Sequence, residues 1–444
     1  MPNARADVPD WRQEFIESPD LIVHCLDGVF DDIKRQSDSR KRYSHWRKFK
    51  HLTLPAKHSP QQAWAAIKML RRACRVKTPF VGKNNLEVLL CITDPLRMML
   101  REIDLHQRIT EAGMPTGASQ ATGTYALKSL LDEAYFSSRL EGADTTRRAA
   151  INMLRTKREP QTKSERMIMN NYRALNQLAE WADEPMTPQL LLHIQQVLTE
   201  NTLDDPTDVG QFREDNNVKV ADLATGETLH QPPPFKELDE RIQRICKFAN
   251  QSDDENEFIH PIVRAILLHF QIAYDHPFGD GNGRTARWVF WWSLVRLPEY
   301  RWMLYLPISR IIEKSRESYY QAFLNVESDE LDATYLIRHQ VGCVLFEMDK
   351  FALFLERRAE INDKFRRKLK LESSLNARQL ALVDYLSSHI GEFAQQLGHA
   401  EYHGVTTATA GRDLNEMVAL GVLKKSKQGK VVHYKLARRV SGAV

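Results

Sequence analysis

Apolar residues in this chain recur mostly at three- and four-residue spacing, the period of a helix with one buried face. Ser59-Pro60-Gln61-Gln62 offers a capping side chain followed by a first-turn proline, and Trp64, Ile67, Met69 and Leu70 then form an apolar stripe. Residues 127–140 predict a further helix that stops at Gly142, with Asp144 placed to cap the next one. Ile262, Ile266, Phe270 and Ala273 share a face of a helix that runs into His276. Residues 284–297 are apolar nearly all round, through Trp288, Val289, Phe290, Trp291, Trp292 and Leu294, as in a helix central to its domain.

Strand signals are few. Residues 218–220 and 228–230 flank Ala224-Thr225-Gly226 and predict a hairpin, which Pro232-Pro233-Pro234 ends; Pro234 suits the first turn of the following helix. Residues 376–386 and 405–420 predict two helices near the C-terminus. Short strands at 422–424 and 431–435 then flank the basic turn Lys427-Gln428-Gly429-Lys430. The fold class expected is mainly α.

A length of 444 residues argues for two or three domains. The pattern divides into an N-terminal helical region (1–95) and a large helical domain (96–355). A charged connecting helix (356–374) and a helix–hairpin module (375–444) follow. Trp11, Trp46, Phe49 and Trp64 are expected to pack the first region. Hydrophobic residues make up 42% of the chain and charged residues 27%, in the range of soluble globular proteins. The most apolar stretch, 288–295, is far shorter than the roughly 20 residues that span a bilayer. Arg5, Asp7 and Asp10 replace any apolar signal core, and the five scattered cysteines have neither redox nor metal spacing; a cytoplasmic protein without membrane partners is expected. The net charge of +4 says little about nucleic acid, but its distribution says more. Lys424, Lys425, Lys427, Lys430, Lys435, Arg438 and Arg439 crowd the C-terminus with no acid among them.

The densest chemistry lies in His276-Pro277-Phe278-Gly279-Asp280-Gly281-Asn282-Gly283-Arg284-Thr285-Ala286-Arg287. Glycines allow a close backbone approach to an anion, and the amides at a helix start favour phosphate. Asn282 can add a side-chain donor, while Arg284 and Arg287 can fork onto further oxygens. Asp280 supplies a hard oxygen suited to Mg²⁺, and His276 is the group able to accept a proton near neutrality.

This segment resembles the Fic family signature, His-x-Phe-x-(Asp/Glu)-Gly-Asn-Gly-Arg-x-x-Arg, at every fixed position: His276, Phe278, Asp280, Gly281, Asn282, Gly283, Arg284 and Arg287. The resemblance implies a helical core with a hairpin flap that transfers AMP from ATP to a Ser, Thr or Tyr hydroxyl of a protein. His276 would be the base and Asp280 the Mg²⁺ ligand. Gly281, Asn282 and Gly283 would form the anion hole, next to Gly279. Arg284 and Arg287 would hold the outer phosphates, and Phe278 would anchor the loop. Doc toxins have lysine where Gly283 stands and move a phosphoryl group, so nucleotidyl transfer is implied here.

Ser137-Ser138-Arg139-Leu140-Glu141-Gly142 resembles the family's inhibitory (Ser/Thr)-x-x-x-Glu-(Gly/Asn) element, on a helix at about 127–142. Ser137 and Glu141 lie one turn apart, so Glu141 would pair with Arg287 and deny it to the γ-phosphate. The hairpin at 218–230 would be the flap on which a target segment adds by main-chain pairing. Tyr319 and Tyr320 fall where relatives line the nucleotide pocket. The C-terminal module resembles the winged helix-turn-helix of bacterial regulators. There Ala410, Leu414, Met417 and Val418 would pack inward and Arg412 would face DNA, with Asp413 and Glu416 opposing it if they face the same way. Two alternatives stand beside AMP transfer: a DNA-binding regulator that uses the nucleotide site as a sensor, and an enzyme that removes AMP. A homodimer is left open.

Overall fold

The computed structural model describes residues 8–55, 57–113, 120–156, 158–221, 226–251, 258–369, 375–388, 393–428 and 431–437. Helices dominate, and among the described residues each of the four sheets is a single antiparallel pair. Residue contacts divide the chain into two compact units, Met1–Arg108 with Ser129–Met348, and Ile109–Lys128 with Asp349–Val444.

In the first unit, the helix Pro60–Arg72 begins with a full capping box, Ser59 and Gln62 each satisfying the other's backbone N–H. It buries Trp64 against Trp46 and Phe49, together with Leu21, Phe30 and Ile33. The N-terminal region is not purely helical, because two-residue pairs Asp38–Ser39 with Arg42–Tyr43 and Arg75–Val76 with Leu90–Cys91 interrupt it. Such short strands leave no periodicity to read.

The centre of this unit is a helical hairpin, Pro261–Asp275 and Asn282–Val295, joined by the motif loop. Both helices are buried nearly all round; Gly283 is the one residue of the second that is not. Trp288 and Trp292 are buried yet satisfied, since their ring N–H groups donate to Ala174 O and Trp181 O. The helix Gln120–Leu140 ends at Gly142, whose φ of +89° belongs to the left-handed region. The cap of the next helix, Arg147–Thr156, is Thr146 rather than Asp144: Thr146 Oγ1 accepts from Ala149 N, while Asp144 N donates to Ser164. The flap strands are Val220–Ala221 and Thr228–His230, two residues later on the first strand than the pattern suggested. Ala224 and Thr225 of the expected turn lie outside the described residues.

The charged stretch expected as a separate connector continues one helix, Thr334–Leu369; it contains neither proline nor glycine to stop it, and residues 370–374 lie outside the described set. In the second unit, helices Ala377–Ser388, Gln396–His403 and Thr407–Ala419 precede strands Leu423–Gln428 and Val431–Leu436. Ala394 makes a further bridge to Tyr434. The middle helix escaped the sequence reading because Gly398 breaks its pattern. Leu382, Val383, Leu386, Leu414, Met417, Val422 and Tyr434 form this unit's core. Gly429, Lys430, Arg438 and Arg439 lie outside the described residues.

Candidate active site

His276 is the C-cap of the helix Pro261–Asp275, with φ +46° and ψ +60°. A non-glycine residue in this region costs about 1–3 kcal/mol and persists only where its surroundings hold it. Arg213 does much of that holding. Its Nε donates to His276 O at 2.8 Å, Nη1 to Asp215 O and Nη2 to Pro233 O, both at 2.6 Å, while its backbone N donates to Pro277 O at 2.9 Å. One buried guanidinium thus ties the motif loop to the segment on either side of the flap. Asp275, completely buried, accepts from Arg241 at 3.0 Å and Gln271 at 2.9 Å. His230, at the end of the flap, lies 2.7 Å from Tyr274 O and 2.8 Å from Glu327.

The imidazole of His276 has a fixed tautomer. Nδ1 is 2.8 Å from Ala273 O, which can only accept, so Nδ1 carries the proton and Nε2 holds the lone pair. Burial pushes the ring's pKa down to about 4, against a smaller upward pull from the Ala273 bond. At neutral pH the ring is therefore neutral, with Nε2 as its acceptor.

Phe278 is fully buried and stacks on Phe212 at 5.4 Å, anchoring the loop. The Asn282 side chain is engaged within the loop. Its Oδ1 accepts from Phe278 N at 3.0 Å and its Nδ2 donates to Phe278 O at 2.9 Å, a two-bond clasp that closes the loop. Two further contacts explain glycines here. A Cβ on Gly281, where φ is +86°, would lie 2.6 Å from Thr199 Cγ2, and one on Gly279 would lie 2.6 Å from Asp208 Oδ2. Gln195 donates to Asp280 O at 3.2 Å and accepts from Gly210 N at 2.6 Å, tying neighbouring segments to the loop. The Asp280 carboxylate itself projects outward, with its side chain 58% exposed.

The two arginines differ. Arg284 is almost fully buried and donates through Nη1 to Leu198 O at 2.8 Å, while its Nε has no hydrogen-bond partner among the described residues. Arg287 faces the helix Gln120–Leu140. Its Nε donates to Ser137 Oγ at 2.8 Å, and its Nη2 donates to Ser137 O at 2.9 Å and to Glu141 Oε1 at 2.8 Å. Burial alone raises the Glu141 carboxyl, but the Arg287 guanidinium outweighs it and holds the group below the usual carboxylate range. The same carboxylate sits over the head of the next helix, where a Cβ on Gly283 would come within 2.2 Å of Glu141 Oε1. Glu133, two turns before Glu141 and deeply buried, accepts from Trp291 Nε1 at 3.1 Å and Ser309 N at 2.9 Å, giving this helix a second anchor.

Tyr319 is buried, its hydroxyl 3.0 Å from His269 Nε2, and lies near Arg287; Tyr320 beside it is half-buried. The structure therefore gathers His276, the glycine turn, Arg284, Arg287, Ser137, Glu141 and Tyr319 around one helix start. Gly142 lies just past this group, as the turn that ends the Ser137 helix. Sequence reasoning missed Arg213, Gln195, Asp275 and Glu133, which act through contacts far apart in the chain.

Residues 185–294 match the Fic/DOC family model. This segment is similar to that family along its whole matched length. Protein adenylyltransferase Fic of Drosophila melanogaster is 31% identical over 147 residues, 33% of this chain and 26% of that protein. Its Drosophila grimshawi counterpart is 28% identical over 192 residues, 43% of this chain and 34% of the relative. The chain thus matches only about a quarter to a third of the length of these curated relatives. Among solved structures, a Fic family protein from Desulfovibrio desulfuricans G20 matches with a TM-score of 0.49 and 16% identity, covering 77% of this chain and 94% of that one. Residues 134–508 of Fic-1 from C. elegans match with a TM-score of 0.46 and 19% identity, over 59% and 73% of the two chains. Outside the matched segment 185–294, the Ser137 helix brings Glu141 to Arg287.

Proposed function

We propose that the chain transfers AMP from ATP to a hydroxyl side chain of a protein, and to its own hydroxyls, and that Glu141 holds this activity in check. The observation that carries the reading is the His276 imidazole, neutral, with Nδ1 committed to Ala273 and Nε2 left as acceptor beside a phosphate-suited helix start. In the reaction, His276 Nε2 takes the proton of the target hydroxyl as its oxygen forms a bond to the α-phosphorus. The bond from that phosphorus to the bridging oxygen breaks, and pyrophosphate leaves with the electron pair. Curated relatives named protein adenylyltransferase support this choice over phosphoryl transfer.

Asp280 fits the role of a Mg²⁺ ligand. Its carboxylate is exposed beside the glycine turn, and no cluster of three metal-binding side chains exists among the described residues. Mg²⁺ characteristically takes one or two carboxylates together with substrate phosphates. When bound, the ion would neutralise phosphate charge. Arg287 is the natural partner of an outer phosphate and is engaged by Glu141 instead, so ATP must compete for it.

The test is labelling with ATP carrying radioactive α-phosphate. A Glu141→Gly variant is expected to label itself or a lysate protein, and adding His276→Ala is expected to abolish that signal while ATP binding persists. Labelling that survives loss of His276 overturns the mechanism.

The second unit supports a further reading, DNA binding by a winged helix. Asp413 is buried and accepts from Arg378 at 2.7 Å, and Glu416 accepts from Gln379 at 2.8 Å, so both acids are engaged within the unit. Thr407, Arg412 and Asn415 on the same helix, and Lys424, Lys425 and Lys427 on the hairpin, are exposed. A gel shift that weakens steeply with salt and disappears on removal of residues 375–444 is the expected result.

A further inference from the structure

Outside the catalytic loop, the first unit holds a cleft of about 700 Å³, within the size range of small-molecule sites. Several segments wall it, and Met99 of the helix Asp94–Gly113 lies among them. The turn after Asp38–Ser39 brings Arg40 and Lys41, and the helix Trp46–Phe49 brings Arg47 and Lys48. The start of Thr334–Leu369 brings Arg338, and one face of Arg316–Ser328 brings Glu317 and Gln321. Five Arg or Lys side chains thus line the cleft against a single carboxylate, Glu317. No residue of the 276–287 loop takes part.

Excess charge on a surface proves little by itself. The second observation is Arg338, more than nine-tenths buried at the cleft wall. Its Nη2 donates to Ser39 O and to Arg42 O, both neutral carbonyls, and its Nη1 has no hydrogen-bond partner among the described residues. The nearby carboxylate of Asp38 is taken by Arg71, at 2.6 Å. A buried guanidinium with an unused N–H is costly unless something anionic satisfies it. Arg40 is paired with Glu102 and Arg47 donates to Gln321 at 3.1 Å. Lys41 and Lys48 are exposed and without ion pairs among the described residues, free to turn onto a ligand. His45 and His339 also line the cleft; burial lowers each to about 4, so they add polar atoms without charge.

We propose that this cleft binds a small phosphate-bearing molecule of about mononucleotide size, held at the wall that carries Arg338 and flanked by Lys41 and Lys48. Phosphate suits the lining, since guanidinium and ammonium groups border one concave volume. The cleft's volume of about 700 Å³ favours a compact ligand over an extended polymer.

Isothermal titration calorimetry of the full chain with inorganic pyrophosphate, AMP and ATP, in metal-free buffer, tests the site. At least one probe is expected to bind, with affinity falling about tenfold or more in Lys41→Glu/Lys48→Glu, as reversal of two charges beside a phosphate requires. Arg338→Gln is expected to weaken binding similarly. Arg287→Ala, altered at the catalytic loop, is expected to remove only heat from the catalytic site and to leave the part of the binding that depends on Lys41 and Lys48 unchanged. Stronger binding of AMP than of pyrophosphate marks a nucleotide as the ligand, and the reverse marks phosphate alone. The exposed lysine pair keeps the test independent of folding. Absence of heat with all three probes at millimolar concentration overturns the proposal. So does binding that Arg287→Ala removes and the lysine variant retains.

Discussion

Replacing Glu141 by glycine is the most direct way to ask what the Glu141–Arg287 pair does. The pair is one charge-assisted hydrogen bond of 2.8 Å, with the arginine side chain 6% exposed and the glutamate 26%. A hydrogen bond to a charged group in such a setting contributes about 1.5–3 kcal/mol. If ATP must displace Glu141 before its outer phosphate reaches Arg287, the same energy opposes productive binding. Its removal then raises the rate of AMP transfer at subsaturating ATP by about 10–150-fold, since each 1.4 kcal/mol is tenfold. Arg287 does not collapse in the variant, because Ser137 Oγ and Ser137 O keep two of its three bonds. The stability cost should accordingly stay near the low end of the about 3–5 kcal/mol typical of broken buried pairs. Labelling with α-phosphate-radioactive ATP, at several ATP concentrations, reads the effect directly. Labelling that stays at the wild-type level, in a variant that still folds and still binds ATP, would refute the competition argument.

Other perturbations separate the parts of the site. His276 is neutral down to about pH 4, so labelling by Glu141→Gly at saturating ATP should be flat from pH 8 to about 5.5; an inflection near 6.5, the ordinary imidazole value, would contradict the burial argument. The carboxyl of Glu141 is depressed, so its pair with Arg287 is complete at neutral pH and fails only as pH falls through the lowered value; wild-type labelling measured from pH 6 to 8 should show no release. Arg213→Ala strands several main-chain acceptors around His276, so chemical denaturation should show a loss of about 2–4 kcal/mol together with a lower kcat. Asn282→Ala opens the Phe278 clasp, and a drop of about 10²-fold in kcat is expected from a misplaced loop.

The catalytic loop was legible from sequence because its requirements are local. A helix C-cap, a glycine turn and a helix start follow one another within twelve residues, each imposing its own residue types. The distances that support it were not legible. Arg213 reads as one more charged residue in a polar stretch, and nothing in its neighbours says that its guanidinium will reach back to His276 O across 63 positions. Asn282 shows a different gap. Its type suggested a donor for an anion, and nothing in the sequence says that its amide oxygen and one N–H also hold Phe278 in place. Local chemistry named the residue, and packing assigned its bonds.

Gly283 joins these strands. As a phosphate-cradle glycine its lack of a side chain admits an anion close to the helix start. In this structure the nearest anion is the carboxylate of Glu141, close enough that a Cβ would overlap it. One vacancy therefore serves both occupants, and a side chain at 283 cannot exclude the glutamate without crowding the phosphate. On the proposed reading, that coupling makes the restraint hard to lose by substitution in the loop itself. Escape has to come from the other partner, by removing the Glu141 carboxylate or by moving the helix that carries it. The movable part is well defined: Ser137 and Glu141 meet Arg287, and Glu133 meets Trp291 one turn further along the same buried helix. Shifting the Ser137 helix breaks the ion pair and the Glu133 anchor together, whereas a side-chain rotation of Glu141 breaks the pair alone. The smaller change is sufficient to free Arg287, so the activating event need not unfold or displace the helix at all.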